Sequence, residues 1–216
     1  MVVAIDGPAG VGKSTVARAV AAALGWPYLD TGAFYRAVAL AVARAGLGAG
    51  DGDAVLRVAA AAHLDYRDGD MLLEGEPVSE AVRAPEIAAL ASAISVFPEL
   101  RRVVVQAQRV WVEHHGGRAV VEGRDIGTVV FPEAPVKIYL TADAAERARR
   151  RAGDSETAGQ GLAAIEEQIR ARDHTDSTRS ASPLRPAEDA VVIDTTSLTA
   201  AQVAAIVLGL VAEAAP

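Results

Sequence analysis

The chain has 216 residues, of which 51% are hydrophobic, so it is long and apolar enough to bury a core and is unlike a disordered polypeptide. Its net charge of −7 argues against nucleic acid as a partner, because duplex binders carry a basic stripe or patch. Cysteine is absent, which excludes disulfides and thiolate metal sites. No signal peptide is evident, and the longest apolar stretch, residues 203–211, is too short to span a bilayer. We therefore expect a cytoplasmic protein without a membrane partner.

Short apolar segments alternate with helical patterns along most of the chain. The apolar segments are residues 2–5, 27–29, 119–121, 136–140 and 190–193, each of a length typical of a buried strand. Helices are predicted over residues 13–24 and 33–45. This alternation indicates an α/β fold, with a parallel sheet covered by helices on both faces.

Two regions depart from this alternation. Within residues 63–86, strand-like segments at 64–67 and 71–78 flank a tight turn, which predicts a small antiparallel insertion. Residues 153–161 are polar, with Gly, Ser, Thr and Asp between two predicted helices, so we expect a mobile loop there.

The first predicted strand leads into a phosphate-binding motif. Residues 7–14 read Gly-Pro-Ala-Gly-Val-Gly-Lys-Ser, which matches G-x-x-x-x-G-K-[ST] between a strand and a helix. The glycines let backbone N–H groups approach phosphate oxygens, and the helix N-terminus favours negative charge. Lys13 is expected to reach the β- and γ-phosphates, and Ser14 to place its hydroxyl on Mg²⁺. The motif therefore predicts binding of a nucleoside triphosphate.

Lysine is rare in this sequence. Of 21 basic residues, only Lys13 and Lys137 are lysine, and the others are arginine. A lysine at the motif, in a sequence that otherwise uses arginine, indicates that this position needs the compact charge of an ammonium group rather than a planar guanidinium. Lys137 lies near the end of a predicted strand and is expected to be solvated.

Other segments narrow the class of triphosphate-binding protein. The chain contains no Asn, so it lacks the N-K-x-D motif with which GTPases read guanine. One predicted strand runs into Glu122-Gly123-Arg124-Asp125, and an arginine beside carboxylates suits a second phosphate. Thr31 and Arg36 follow the second predicted strand at the start of a helix, where they also suit binding of a second phosphate. Arg172 and Asp176, four residues apart, are expected on one helix face.

Together these segments resemble the bacterial cytidylate kinase family. The matching stretches are residues 5–14, 29–36, 122–132, 134–140, 172–179 and 182–184, in the family's order along nearly the whole chain. The run Gly-Arg-Asp-Ile-Gly-Thr-Val-Val-Phe-Pro at residues 123–132 is far more specific than the phosphate loop. The resemblance implies a single phosphate-loop kinase domain over residues 1–216, with a five-stranded parallel sheet flanked by helices. It also implies an acceptor-binding insertion at residues 63–86 and a short lid at residues 152–162.

The resemblance further implies substrates and site residues. ATP with Mg²⁺ would be the donor and CMP or dCMP the acceptor, giving ADP and CDP or dCDP by direct in-line transfer. The catalytic residues would be Lys13, Arg124, Arg172 and Arg179. The ATP-binding residues would be Gly7, Pro8, Ala9, Gly10, Val11, Gly12, Lys13, Ser14 and Thr15, with Ser14 as metal ligand. The acceptor-binding residues would be Thr31, Arg36, Ser92, Arg101, Arg124, Asp125, Arg172, Asp176 and Arg179.

Within that set, Ser92, Arg101 and Asp125 match the positions that read the cytosine edge in the family. Cytosine offers an amino donor and a ring acceptor, which suit a carboxylate paired with an arginine or a hydroxyl. UMP reverses this pattern, and such a mismatch in a buried polar site costs about 1–3 kcal/mol or more.

Three other functions compete with this hypothesis. The protein could be a kinase for UMP, AMP or a non-nucleotide, a nucleotide-dependent switch with a protein partner, or a nucleic-acid-dependent ATPase. The arginine-rich acceptor segments count against a switch, and the acidic net charge against the ATPase. The cluster Arg147, Arg149, Arg150 and Arg151 either contacts ATP or complements a helix C-terminus. No apolar surface stripe is obvious, so a monomer is expected.

Overall fold

The structure is a computed structural model that describes residues 1–67, 69–153, 157 and 159–214. In chain order, the strands are β1 (Val2–Asp6), β2 (Tyr28–Asp30), β3 (Leu64–Arg67), β4 (Asp70–Leu73), β5 (Glu76–Pro77), β6 (Ala119–Gly123), β7 (Val136–Thr141) and β8 (Val191–Asp194). The helices are α1 (Lys13–Leu24), α2 (Thr31–Arg44), α3 (Gly52–Ala61), α4 (Pro85–Ile94), α5 (Pro98–His114), α6 (Ala144–Arg151), α7 (Leu162–Thr178) and α8 (Ala200–Ala214). The chain also forms a 3₁₀ turn at Ala81–Arg83 and a π-helical turn at Ile126–Val130.

The chain divides into two compact units, the first formed by Met1–Asp30 with His115–Pro216 and the second by Thr31–His114. The first unit contains a parallel sheet of five strands in the order β2-β6-β1-β7-β8. Helices α1 and α8 pack together, and their apolar side chains join those of the sheet in one core. The core includes Val3, Ile5, Val16, Val20, Ile138, Val203 and Val207. The predicted five-stranded parallel sheet is therefore confirmed.

Most strands of this sheet extend past the apolar runs that predicted them. Their last residues are polar at β1, β2, β7 and β8, namely Asp6, Asp30, Thr141 and Asp194. Because parallel strands end at the same edge of a sheet, these groups gather where the phosphate loop and the other β–α connections begin. The fold thus places these polar side chains together at one edge of the parallel sheet.

The second unit is mostly helical and carries the small antiparallel sheet β3-β4-β5. Its core contains Phe34 on α2 and Trp111 on α5, and the indole Nε1 of Trp111 donates to the carbonyl of Tyr66 at 2.6 Å. The predicted strand over residues 71–78 is wrong in one respect, since it is two strands. Glu74 (φ 52°) and Gly75 (φ 78°) turn left-handed between β4 and β5 and end the extended run. That residues 63–86 bind the acceptor stays a prediction.

Lys137 differs from the sequence prediction. Its side chain is only 9% exposed, and its ammonium pairs with Asp189 Oδ2 at 2.7 Å rather than standing in solvent. The strand buries the aliphatic stem while Asp189, at the surface, keeps the charge satisfied.

Of the predicted lid at residues 152–162, residues 154–156 and 158 lie outside the described part of the chain, so the lid stays a prediction. Among the described residues, no helix combines the length and apolar character needed to cross a membrane.

Candidate active site

The phosphate loop connects the end of β1 to the start of α1 in the first unit. At Gly7, φ is 149°, and a Cβ atom there would lie 2.3 Å from the carbonyl oxygen of Leu140. Gly10 (φ 78°) lies against the backbone of Arg147 on α6 in the same way. Gly12 (φ 92°) caps α1 in a left-handed conformation. Packing against neighbouring backbone, as well as φ, therefore explains why the motif needs glycine.

The variant Gly7→Ala tests this packing. We expect a loss of about 1–3 kcal/mol in the free energy of unfolding from backbone strain, together with loss of nucleotide binding as the loop moves off Leu140. The measurement is urea denaturation alongside calorimetric titration with an ATP analogue. Gly46→Ala is the matched control, since Gly46 has φ 71° but nothing within 4 Å of an added Cβ atom. Equal effects of the two variants on nucleotide binding would contradict this account.

Lys13, the first residue of α1, is buried and donates from Nζ to the carbonyl of Pro8 at 2.8 Å. Burial, together with the positive charges of Arg124 and Arg172, lowers the pKa of Lys13 from 10.5 to about 7. The negative charges of Glu122 and Asp6 oppose this decrease only in part. A polyphosphate bound in the loop would add negative charge next to the ammonium group and raise its pKa towards the ordinary value.

This pKa predicts proton uptake when nucleotide binds. Near pH 8 the Lys13 amine is mostly neutral in the free protein, and a bound triphosphate raises its pKa, so binding takes up close to one proton. The uptake should vanish well below pH 7, where Lys13 is already charged, and well above 10.5, where it stays neutral. Calorimetric titration with a non-hydrolysable MgATP analogue, in buffers of different ionisation enthalpy, measures it. Proton release near pH 8, or uptake that persists in Lys13→Met, would contradict the assignment.

Ser14 belongs to a polar network at the ends of β2 and β6. Its Oγ donates to Glu122 Oε1 at 2.5 Å, and the Tyr28 hydroxyl donates to the same oxygen at 3.0 Å. Burial raises the pKa of the Glu122 carboxyl, and the negative charge of Asp30 raises it further. The network contributes two hydroxyls and, with Asp30, two carboxylates, and oxygen is the donor that Mg²⁺ prefers.

Arg124, just after β6, links the phosphate loop to α7. Its Nη1 donates to the carbonyl of Gly7 and its Nε to Asp176 Oδ2, both at 2.8 Å. Arg179 donates to Asp176 Oδ1 at 3.2 Å. Burial alone would raise the pKa of Asp176, but Arg124, Arg172 and Arg179 hold it below its ordinary value. One buried carboxylate thus contacts two guanidinium groups beside the loop and is stabilised by the charge of a third.

The remaining predicted acceptor residues lie in the second unit, apart from the buried Asp125, which follows Arg124. Thr31 begins α2 instead of preceding it, and its carbonyl accepts a bond from Gln108 Nε2 at 3.4 Å. Arg36 lies on the same helix. Ser92 lies on α4, and the buried Arg101 on α5 donates to the Ser95 carbonyl at 3.2 Å. All four belong to one compact unit.

A cavity of about 510 Å³ lies beside the phosphate loop, within the first unit. Its walls include Lys13, Ser14, Arg150, Arg151, Thr195 and Leu198. Arg150 donates to the carbonyl of Val11 at 3.3 Å and to both oxygens of Thr195. Arg147 donates to the carbonyl of Ala9 at 3.2 Å. Two members of the arginine cluster therefore support the loop itself, whereas Arg149 is 66% exposed and pairs with Glu146.

Three residues that shape this site were not among the predicted site residues. Asp6 and Glu122 carry a signal that could have identified them, because each is an acid at the end of an apolar strand beside the loop. Thr195 carries no such signal. It follows β8, nearly the whole chain away from Val11, and only the sheet order brings its hydroxyl to the Val11 carbonyl at 3.1 Å.

The parallel sheet, the glycine-rich loop on the central strand and the buried lysine define a phosphate-loop nucleotide-binding protein of the kinase class. The sequence model of the family described as cytidylate kinase matches residues 3–213, and the chain belongs to this family.

Curated relatives agree with this family membership. A cytidylate kinase from Mycobacterium avium is 53% identical over 209 residues, covering 94% of this chain and 91% of that protein. One from Solibacter usitatus is 47% identical over 217 residues, covering 98% and 92%. Among solved structures, an uncharacterized protein from Eubacterium ventriosum aligns over 99% of this chain and 98% of its own with a TM-score of 0.55. Its sequence identity is only 11%, so that likeness supports the fold alone.

Proposed function

We propose that the protein transfers the γ-phosphoryl group of ATP to CMP or dCMP, giving ADP and CDP or dCDP. Family membership supports the reaction, and Arg124 is the observation that carries the mechanism. Its guanidinium contacts both the first residue of the donor loop and the carboxylate that gathers the other arginines. A cation in that position can stabilise charge on the donor phosphate and on the acceptor phosphate together.

The cavity next to the loop supports ATP as donor. With the triphosphate along the backbone N–H groups of the loop, the adenosine would occupy the 510 Å³ cavity between Arg150 and Leu198. Arg150 is held by Glu146, Val11 and Thr195, so its guanidinium plane is already fixed for stacking on a base.

The oxygen donors beside the loop fit a magnesium ion that enters with ATP. Ser14 would coordinate the ion, and Glu122 with Asp30 would hold its water ligands. Held there, the ion would supply positive charge against the charge that develops on the phosphates.

The acceptor needs no general base, because its phosphate is already an anion. Arg124, Arg172 and Arg179 would align that phosphate with the γ-phosphoryl group, and Lys13 would follow the charge as it moves to the leaving oxygen. Thr31 and Arg36 would hold the acceptor phosphate as well, and Asp176 would contact the sugar. Ser92, Arg101 and Asp125 would read cytosine. Closure of residues 152–162 would exclude water and suppress ATP hydrolysis.

A panel of acceptors tests this function. Purified protein with MgATP is offered CMP, dCMP, UMP and AMP in a coupled assay for ADP. We expect rapid turnover with CMP or dCMP and slow hydrolysis when no acceptor is present. A preference for UMP or AMP would overturn the substrate assignment, and turnover that is independent of any acceptor would overturn the kinase assignment.

A further inference from the structure

Asp6 is a buried carboxylate that the reaction does not use. It is the last residue of β1, directly before the phosphate loop, and it is 5% exposed. Its Oδ1 accepts the backbone N–H of Ile126 and its Oδ2 that of Gly127, both at 2.8 Å. These are the first two N–H groups of the π-helical turn Ile126–Val130, and Asp125 makes no side-chain cap to that turn. The carboxylate of one strand therefore caps the turn that follows its neighbour.

The capped turn has little freedom to move. A Cβ atom at Gly127 would lie 3.2 Å from the side chain of Lys137 and 3.5 Å from Asp6 Oδ2. The approach of the turn to β1 is thus set by the carboxylate and by the absence of a side chain at Gly127. Arg124 lies two residues before the turn, and its Nη1 donates to the carbonyl of Gly7, the residue that follows Asp6.

We propose that Asp6 is a positioning residue, whose carboxylate fixes the turn after β6 and so places the Arg124 guanidinium against the first residue of the phosphate loop. This inference rests on the proposed function, in which Arg124 stabilises charge on two phosphates. A displacement of about 1 Å between catalytic groups can cost on the order of 10²-fold in rate. The two bonds of Asp6 join the strand that precedes the loop to the turn that follows Arg124, so they limit that displacement through the backbone.

Charged and titratable groups face Asp6 from each neighbouring element. They are Asp125 after β6, Lys13 on α1 and Tyr139 on β7. Burial, opposed by the two backbone bonds, raises the pKa of Asp6 to about 6, and the charge of Asp125 adds to the increase. Protonation would replace an acceptor oxygen by a hydroxyl, as Asp6→Asn replaces it by an amide. Both changes set a donor against a backbone N–H group.

A double-mutant cycle tests the proposal. Asp6→Asn is isosteric, and we expect it to lower kcat/KM for the acceptor by about 10- to 100-fold while the Kd of an ATP analogue changes by less than about threefold. In the Arg124→Lys background, the same change should have little further effect, because Asp6 acts through Arg124. If the loss of kcat/KM in the double variant equals the product of the losses in the two single variants, the proposal is overturned.

Two further measurements separate positioning from stability. Val207→Ala removes a buried side chain from the core of the same unit, on α8 rather than in the turn, so it should lower the melting temperature yet keep acceptor kcat/KM near wild type. Equal losses of activity in both variants would assign Asp6 a structural role only. In NMR spectra of the wild type without substrates, the amide protons of Ile126 and Gly127 should titrate together near pH 6.

The NMR result does not depend on turnover. If the wild type phosphorylates no nucleoside monophosphate, the proposed function fails while the amide titration can still succeed. If CMP is phosphorylated but Asp6→Asn lowers activity equally in the wild type and in the Arg124→Lys background, the Asp6 proposal fails alone.

Discussion

Lys13→Met is expected to lower kcat by about 10³-fold or more without destabilising the free protein. The methionine keeps most of the apolar stem but removes the charge that follows the transferring phosphoryl group. The pKa of Lys13 is lowered from 10.5 to about 7 by burial and by neighbouring arginines. Its positive charge is therefore unfavourable to folding, a penalty that is complete below pH 7 and fades as pH rises towards 10.5.

Measuring both kcat and the melting temperature of Lys13→Met makes this test specific. A lysine that served only to hold the loop together would lower the melting temperature when replaced. We expect instead a melting temperature at pH 7 that is equal to or higher than that of the wild type, measured by differential scanning calorimetry. Turnover above a tenth of the wild-type value would contradict the assigned role of Lys13.

Arg124→Lys is the second change with a large expected effect. The substitution keeps the positive charge, but an ammonium group cannot contact Gly7 and Asp176 with the two separated donors of a guanidinium. We expect kcat/KM for CMP to fall by about 10²- to 10³-fold, while the Kd of an ATP analogue stays within a few-fold. Steady-state kinetics and calorimetry measure the two quantities.

Arg170→Lys is the matched control for this change. Arg170 also pairs with a carboxylate, Glu166, but its side chain is 63% exposed and it contacts no part of the loop. Exposed pairs of this kind contribute little, so activity and stability should both stay near the wild type. If kcat/KM for CMP falls by less than tenfold in Arg124→Lys, or by a similar factor in both variants, the guanidinium group of Arg124 is dispensable.

Local sequence patterns were sufficient to predict the helix α1, which is bounded by glycines, and the strands of the parallel sheet, which contain apolar runs. The helix predicted over residues 13–24 coincides with α1, because a glycine cap precedes Lys13 and Gly25 follows Leu24. Each strand of the parallel sheet was identified from its apolar run. The boundary between β4 and β5 was missed, since Glu74 adopts φ 52° where a non-glycine residue seldom does.

The contacts that organise the site depend on topology and could not be read from spacing. Thr195 supports the loop from across the sheet, and Asp176 joins the nearby Arg179 to Arg124, which lies 52 residues earlier. The two hydrogen bonds of Asp6 likewise span more than half of the chain, and they exist only because β1 and β6 are neighbours. Residue types predicted that charged groups would meet a phosphate, whereas the fold determines which carboxylate holds which arginine.

A competition experiment tests the central claim, transfer from ATP to a cytosine nucleotide, most directly. Equal concentrations of CMP and UMP are mixed with limiting MgATP, and the diphosphates are quantified by ion-exchange chromatography. The ratio of products then equals the ratio of the two kcat/KM values. We expect CDP to exceed UDP by at least about tenfold, because UMP would set its carbonyl against the carboxylate of Asp125. Equal amounts of the two products, or an excess of UDP, would contradict the account.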